Sequence, residues 1–224
     1  MQTRVTDQPC IVLHTRAYRE TSLIVSLLSA EHGRVSVVAR GVRGARRGRT
    51  LQPFAVARAG WTGRTSLGTL TGFEVTRQYW LKGNVLACAF YLAELVMRLA
   101  GEREPHPRLF AGLGWALEHL ESEPSAVLRR FEKLLLTELG YGLDFRCDIG
   151  GRAIEAGCHY RLVPDQGFEV WADGYDGATL ALIDADDFTS RDVRAAARTL
   201  FQAALGPHLG SRPLLSRRLL VGTS

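Results

Sequence analysis

Apolar and polar positions follow two different periods along this chain. Through residue 80 the apolar residues come in short, β-rich runs broken by turn signals. Ile11–Thr15 is the first run, and Ser22–Leu28 follows after a polar turn at Tyr18–Thr21. Gly33 stands where a hairpin needs positive φ, and Arg34–Ala39 is the returning strand. A fourth strand begins at Pro53, where a missing N–H matters least, and Trp61–Arg64 reads as a turn. Leu67–Val75 is the fifth strand, its glycines marking a bend or bulge. Five short strands in about 70 residues predict a small closed barrel of the OB-fold type, and an SH3-like barrel fits the same periodicity.

The period then becomes helical. Asn84–Ala100 is apolar on nearly every side, which places it in the middle of a helical domain. Pro105–Leu120 carries leucines on one face. Ser125 is placed to cap a third helix that presents Leu128, Phe131, Leu135 and Leu139 and stops at Gly140. Beyond Tyr141 the helical period is lost, and Tyr160–Val163 with Phe168–Trp171 form a hairpin around Pro164–Gly167. Thr189 and Asp192 are spaced like a capping box for a helix that Gly206-Pro207 ends, and Arg212–Val221 is a last amphipathic segment. The class is α+β: an N-terminal five-stranded OB-fold barrel over residues 1–80, an α-helical domain from 81–140 and 186–224, and a small irregular β-hairpin lobe over 141–185.

Charge distinguishes the two halves. Residues 1–80 hold 12 arginines against four acids, a balance of +8, while the remainder holds 16 bases against 19 acids, a balance of −3. The positive field is densest from Arg40 to Arg49, where Arg40, Arg43, Arg46, Arg47 and Arg49 alternate with glycines and no acid intervenes. Five guanidinium groups cannot be buried without partners, so they either stay solvated at the surface or meet anions. On a glycine-punctuated backbone they suit phosphate, whose oxygens accept two hydrogen bonds from each planar fork. Arg16, Arg19, Arg34 and Arg64 extend this basic surface, which is expected to meet a nucleic-acid backbone, with Tyr18, Phe54, Trp61 and Phe73 as candidates for stacking on bases.

Other chemistries lack their residues. There is no phosphate-binding P-loop, no G-x-S-x-G and no H-E-x-x-H, and the six histidines are scattered. Asp184, Asp186 and Asp187 read as a solvated acidic turn. Cys10 and Cys88 sit in apolar runs, and Cys147 and Cys158 with His159 offer three ligands where structural zinc takes four. The expectation is a non-enzyme with no catalytic residue, no metal and no cofactor. No run approaches the roughly 20 apolar residues of a membrane span, and Met1–Asp7 has no apolar signal core, so the chain is expected to be cytoplasmic.

Several segments resemble the bacterial RecO recombination-mediator family. They are Leu13-His14-Thr15-Arg16-Ala17-Tyr18-Arg19-Glu20-Thr21-Ser22-Leu23, Glu31-His32-Gly33-Arg34, Val38-Ala39-Arg40-Gly41-Val42-Arg43 and Leu51-Gln52-Pro53-Phe54. Phe90-Tyr91-Leu92-Ala93-Glu94-Leu95, Leu128-Arg129-Arg130-Phe131-Glu132, Glu138-Leu139-Gly140-Tyr141-Gly142 and Arg212–Leu220 carry the resemblance through the rest of the chain. The resemblance implies an OB-fold, a helical domain and an irregular lobe. It implies a role in DNA repair and recombination: binding single- and double-stranded DNA, annealing complementary strands, and acting with RecR to load RecA onto DNA coated by single-strand-binding protein (SSB). It also implies binding of the acidic, apolar SSB tail, for which Leu128, Arg129, Arg130 and Phe131 are the candidate residues. Some members hold zinc through two cysteine pairs in the lobe. Here the position three residues after Cys147 is Gly150 and Cys158 stands alone, so zinc is not carried over. The alternative is an RNA-binding OB-fold protein of the translation apparatus, which the acidic helical half fits less well.

Overall fold

A computed structural model describes residues 4–43, 51–63 and 67–219. The chain divides into two compact units, Met1–Ser122 with Leu214–Ser224, and Glu123–Pro213. This division cuts the helical segment at Ser122.

The first unit is built on β1 (Arg4–Tyr18), β2 (Ser22–Ser29), β3 (Gly33–Ala39), β4 (Ala55–Thr62) and β5 (Leu67–Gln78), closed into a barrel in the order β1-β2-β3-β5-β4. All pairs are antiparallel except β3 with β5, the parallel pair that closes the barrel. Cys10, Val12, Val25, Leu27, Val37 and Trp61 fill the interior. Ala55, Ala57 and Ala59 alternate on β4 and leave room for the Trp61 indole. The first strand is 15 residues long, well beyond Ile11–Thr15, because irregularities at Val5/Gln8 and Val12/His14 let it bend and serve both β2 and β4.

Other boundaries also move. Pro53 is not in a strand: Phe54 takes a left-handed φ of 67°, donates its N–H to Val12 O, and sets its ring 5.1 Å from Phe90. Trp61 and Thr62 belong to β4, not to a turn, because the interior holds the indole.

Helices α1 (Gly83–Leu99) and α2 (Pro107–His119) lie against the outer apolar face of β1 and β2, where Ile11, Leu13 and Leu28 are fully buried. The β2–β3 turn is fastened to the α1–α2 connection. Arg34 donates to Ala100 O (3.2 Å) and pairs with Glu102, and Arg103 N–H donates to Arg34 O. Gly33 has φ 61°, and a Cβ there would run into the Glu104 backbone. The amphipathic segment Arg212–Val221 is, within the described residues, only a 3-10 turn at Ser216–Arg218. Glu94 of α1 fixes it by accepting from Leu215 N (2.9 Å), Ser216 N (2.8 Å) and Ser216 Oγ (2.5 Å).

The second unit contains α3 (Pro124–Glu138), β6 (His159–Val163), β7 (Gly167–Val170), β8 (Tyr175–Asp176), α4 (Gly177–Asp184) and α5 (Arg191–Leu209). Ser125 does not cap α3. Proline at the first helical position starts the helix two residues earlier, after Glu123. The cap of α5 is Ser190, whose hydroxyl accepts from Asp192 N, while Thr189 bonds Asp187. That helix continues through Gly206-Pro207 to Leu209. The proline ring removes one bond from the last turn, but the backbone reverses only at Gly210, φ 64°. The hairpin β6–β7 forms around Pro164–Gln166 as its residues predict, whereas β8 and α4 have no periodic signal long enough to announce them.

The start of the lobe is held by a side chain. Asp148 is buried and accepts from Gly150 N (2.8 Å), Arg152 N (2.9 Å) and Arg152 Nε (3.0 Å). The backbone bond from Arg152, foremost among these, holds the carboxyl below its ordinary range. Cys147 and Cys158 are both free thiols, and among the described residues no three His, Cys, Asp or Glu side chains converge. The residues present do not fit a zinc site, and Asp148 organises the loop that follows Cys147.

Candidate nucleic-acid interface

Strand register decides which barrel residues look outward. Cross-strand partners share a face, and Val25, Val37 and Ala39 point inward. Ile24 and Val38 therefore point outward, with Arg16 opposite Ile24, Ile24 opposite Val38, and Val38 opposite Thr69. Tyr18 and Ser22 face each other two residues further along, on the same side. Here lies a depression of about 670 Å³, lined by Tyr18, Arg19, Val38, Arg40, Leu67 and Thr69 among others. Its walls are the β1–β2 turn, the end of β3 and the start of β5. On an OB-fold this is the face, with its flanking loops, that receives oligonucleotides and oligosaccharides.

The arginines around this depression differ from Arg34, Arg58 and Arg77 of the barrel. Arg16, Arg19, Arg40 and Arg43 are exposed, and none has an acidic partner among the described residues. Glu20, on the rim, is the acid nearest them in sequence. The Arg19 guanidinium lies 5.2 Å from the centre of the Tyr18 ring. Arg43 ties the segment after β3 to the β1–β2 turn, its N–H donating to Thr21 O (2.9 Å) and its guanidinium to Arg19 O (3.0 Å). On Arg34, Arg58 and Arg77 the charge is compensated. Arg58 grips Asp7 and holds that carboxyl below its ordinary value through their hydrogen bonds, and Arg77 pairs with Glu118 at 2.9 Å.

The structure thus brings Arg16, Arg19, Arg40 and Arg43 to one end of the barrel. Arg34 shares their strand face but lies six residues from Arg40, held by Ala100 and Glu102. Arg46, Arg47, Arg49 and Arg64 fall outside the described residues. Of the four aromatics singled out for stacking, Phe54 and Trp61 are buried and Phe73 packs against the barrel core, while Tyr18 lines the depression. Trp80, 71% exposed, is an open aromatic outside that set of four. A tryptophan beside a buried Leu81 carries no sequence signal of its exposure.

The four residues considered for an acidic tail are dispersed. Leu128, Arg129 and Phe131 are buried, and Arg129 lies 3.1 Å from the buried Glu132. Arg130 reaches the surface, with Glu123 at 3.6 Å and Asp186 O at 3.4 Å. The Asp184–Asp187 acids serve the fold: Lys133 bonds Asp184 O and Asp186, and Asp187 accepts from Thr189. No described helix is long and apolar enough to cross a membrane.

The model for "Recombination protein O N terminal" matches residues 1–79 and that for "Recombination protein O C terminal" residues 82–218. Proteins named DNA repair protein RecO are similar over almost the whole chain. The one from Halorhodospira halophila is 41% identical, covering 95% of each chain. That from Cellvibrio japonicus is 40% identical, covering 96% of this chain and 97% of its own. That from Alkalilimnicola ehrlichii is 41% identical, covering 96% and 91%.

Proposed function

The chain belongs to the recombination protein O family, and from that premise we propose that it is a recombination mediator. In this reading the barrel holds single- and double-stranded DNA and brings complementary strands together for annealing. The chain engages the SSB tail and RecR so that RecA is loaded onto the exposed strand. No step of this work requires the chain to make or break a covalent bond. The observation that carries the reading is the group of exposed arginines without acidic partners beside the depression on the barrel's outer face. Their contacts are with phosphate and ribose, which positions a strand without reading its sequence. Arg46, Arg47 and Arg49 add charge to the same polyanion site.

For the tail, Arg130 is the residue of the four that a peptide can reach, and Lys133 lies one turn further along α3. The basic groups meet the tail's carboxylates, and Arg130→Ala weakens binding of the isolated tail peptide.

The deciding experiment is single-stranded DNA binding by a variant with Arg43, Arg46, Arg47 and Arg49 changed to Glu. Binding falls steeply with salt in the parent, and the variant loses most of its affinity with a shallower salt slope. Equal affinity of parent and variant at the same salt concentration rejects the reading.

A further inference from the structure

The depression on the barrel face is more than a charged surface, and its lining bears on which form of DNA it takes. The following rests on the DNA-binding reading above. The volume, about 670 Å³, is that of a small-ligand pocket. Its floor is apolar, with Val38 buried and Leu67 half-buried. Tyr18 forms a wall, half-buried, with the Arg19 guanidinium 5.2 Å from its ring centre. The hydroxyls of Thr21, Ser22 and Thr69 belong to the lining, and each can donate or accept. Arg19 and Arg40 belong to the lining, and Arg43 is bonded beside it to Arg19 O (3.0 Å). An apolar floor, an aromatic wall, versatile hydroxyls and a cationic rim form an arrangement that phosphate alone does not require.

We infer that this recess takes one unpaired nucleobase, stacked on Tyr18, while Arg19, Arg40 and Arg43 hold the flanking phosphates. The base either joins the existing Arg19–Tyr18 stack or takes the guanidinium's place on the ring. Every base presents a π-face, so the recess accepts any of them. A base within a duplex cannot enter without leaving its stack and its partner. Duplex DNA therefore meets only the arginines, whereas single-stranded DNA meets the arginines and the recess. Tyr18 becomes the residue by which a barrel that grips any phosphate backbone prefers an unpaired strand.

The test uses the full chain and three probes of equal length: a single strand, the same sugar-phosphate strand with abasic positions, and a duplex. Dissociation constants are measured at one salt concentration for the parent, Tyr18→Ala, Tyr18→Phe, and a triple variant with Arg19, Arg40 and Arg43 changed to Glu. Tyr18→Ala weakens single-strand binding about tenfold, in keeping with loss of one stacked base. It leaves the abasic strand and the duplex within about twofold, and Tyr18→Phe keeps the parent's preference. The triple variant weakens all three probes. If Tyr18→Ala weakens all three equally, or none, the recess does not hold a base, even where the triple variant shows that the arginines hold phosphate. If the triple variant binds all three as the parent does, the DNA-binding reading of this face fails first.

Discussion

Arg40 and Arg43 in the barrel and Arg129 and Arg130 on α3 are the same side chain in two settings. Arg40 and Arg43 lie just past the end of β3, exposed and without acidic partners among the described residues. Arg129 is buried at 3.1 Å from Glu132, and Arg130 is half-exposed with Glu123 and a backbone carbonyl as neighbours. In the first region the arginine charge is available to a ligand. In the second much of it is already engaged by the unit's own acids and carbonyls. A basic residue marks a binding surface only where the fold withholds its partner.

The largest contrast comes from Arg129→Ala. Removing one member of a buried ion pair leaves Glu132 short of a cation at no exposure to water, and we expect a loss of about 3–5 kcal/mol. Thermal or urea unfolding measures it, and the DNA affinity of the folded fraction stays at the parent's value. A loss below about 1 kcal/mol would mean that the pair is not a structural element and would erase the contrast.

Reversing Arg40 and Arg43 to Glu has the opposite profile. Single-stranded DNA affinity falls by roughly 10- to 100-fold at low salt, and the slope of log K against log salt becomes shallower by about 0.7 for each phosphate no longer neutralised. The unfolding midpoint moves only slightly, because Arg40 is exposed and Arg43 contributes one side-chain bond to the turn. A large stability loss with an unchanged salt slope would place these arginines with Arg129.

Acid sharpens the comparison from the carboxylate side. Burial tends to raise the Glu94 carboxyl, but hydrogen bonds from Ser216 and Leu215 outweigh it, and the folded pKa lies below its ordinary value. A depressed folded pKa contributes stability above the unfolded pKa, and that contribution is lost as pH falls through the folded value. Amide exchange at Leu215 and Ser216 therefore accelerates as pH drops below the usual carboxylate range, relative to a buried amide of α1 followed at the same pH. Glu94→Gln shows the faster exchange already at neutral pH. Identical exchange in parent and variant would show that the turn is held by Leu214 packing instead.

The smallest effect belongs to Arg58→Ala. The bond to Asp7 is short but fully exposed to water, where such pairs contribute little. Stability and DNA affinity both stay close to the parent's. A marked fall in DNA binding would move Arg58 into the interface and overturn the distinction between compensated and uncompensated arginines.

The sequence carried the architecture where the signal was local and repeated. Alternation with turn residues announced the five strands and the Gly33 turn, and helical periodicity announced α1, α2, α3 and α5. Boundaries failed where competing local chemistry decided them: Pro124 pre-empted Ser125, and Ser190 pre-empted Thr189 as a cap. The lobe was legible as a hairpin at β6–β7, but the buried Asp148 that holds its first loop was not, since an aspartate in a polar stretch looks solvated.

The site was legible as a charge and not as a shape. Five arginines without an acid between them cannot be buried unpartnered, so the sequence alone required that this stretch stay solvated or meet anions. Which arginines are available depended on pairings across tens of residues. Arg34 meets Ala100 and Glu102, Arg58 meets Asp7, and Arg77 meets Glu118. The tertiary structure alone set Tyr18 beside Val38 and Leu67 to make a recess, and put Phe54 and Trp61 inside. Periodicity tells which residues share a strand face. Closing the barrel, by the parallel pairing of β3 with β5, decides which faces meet and which remain open to a ligand.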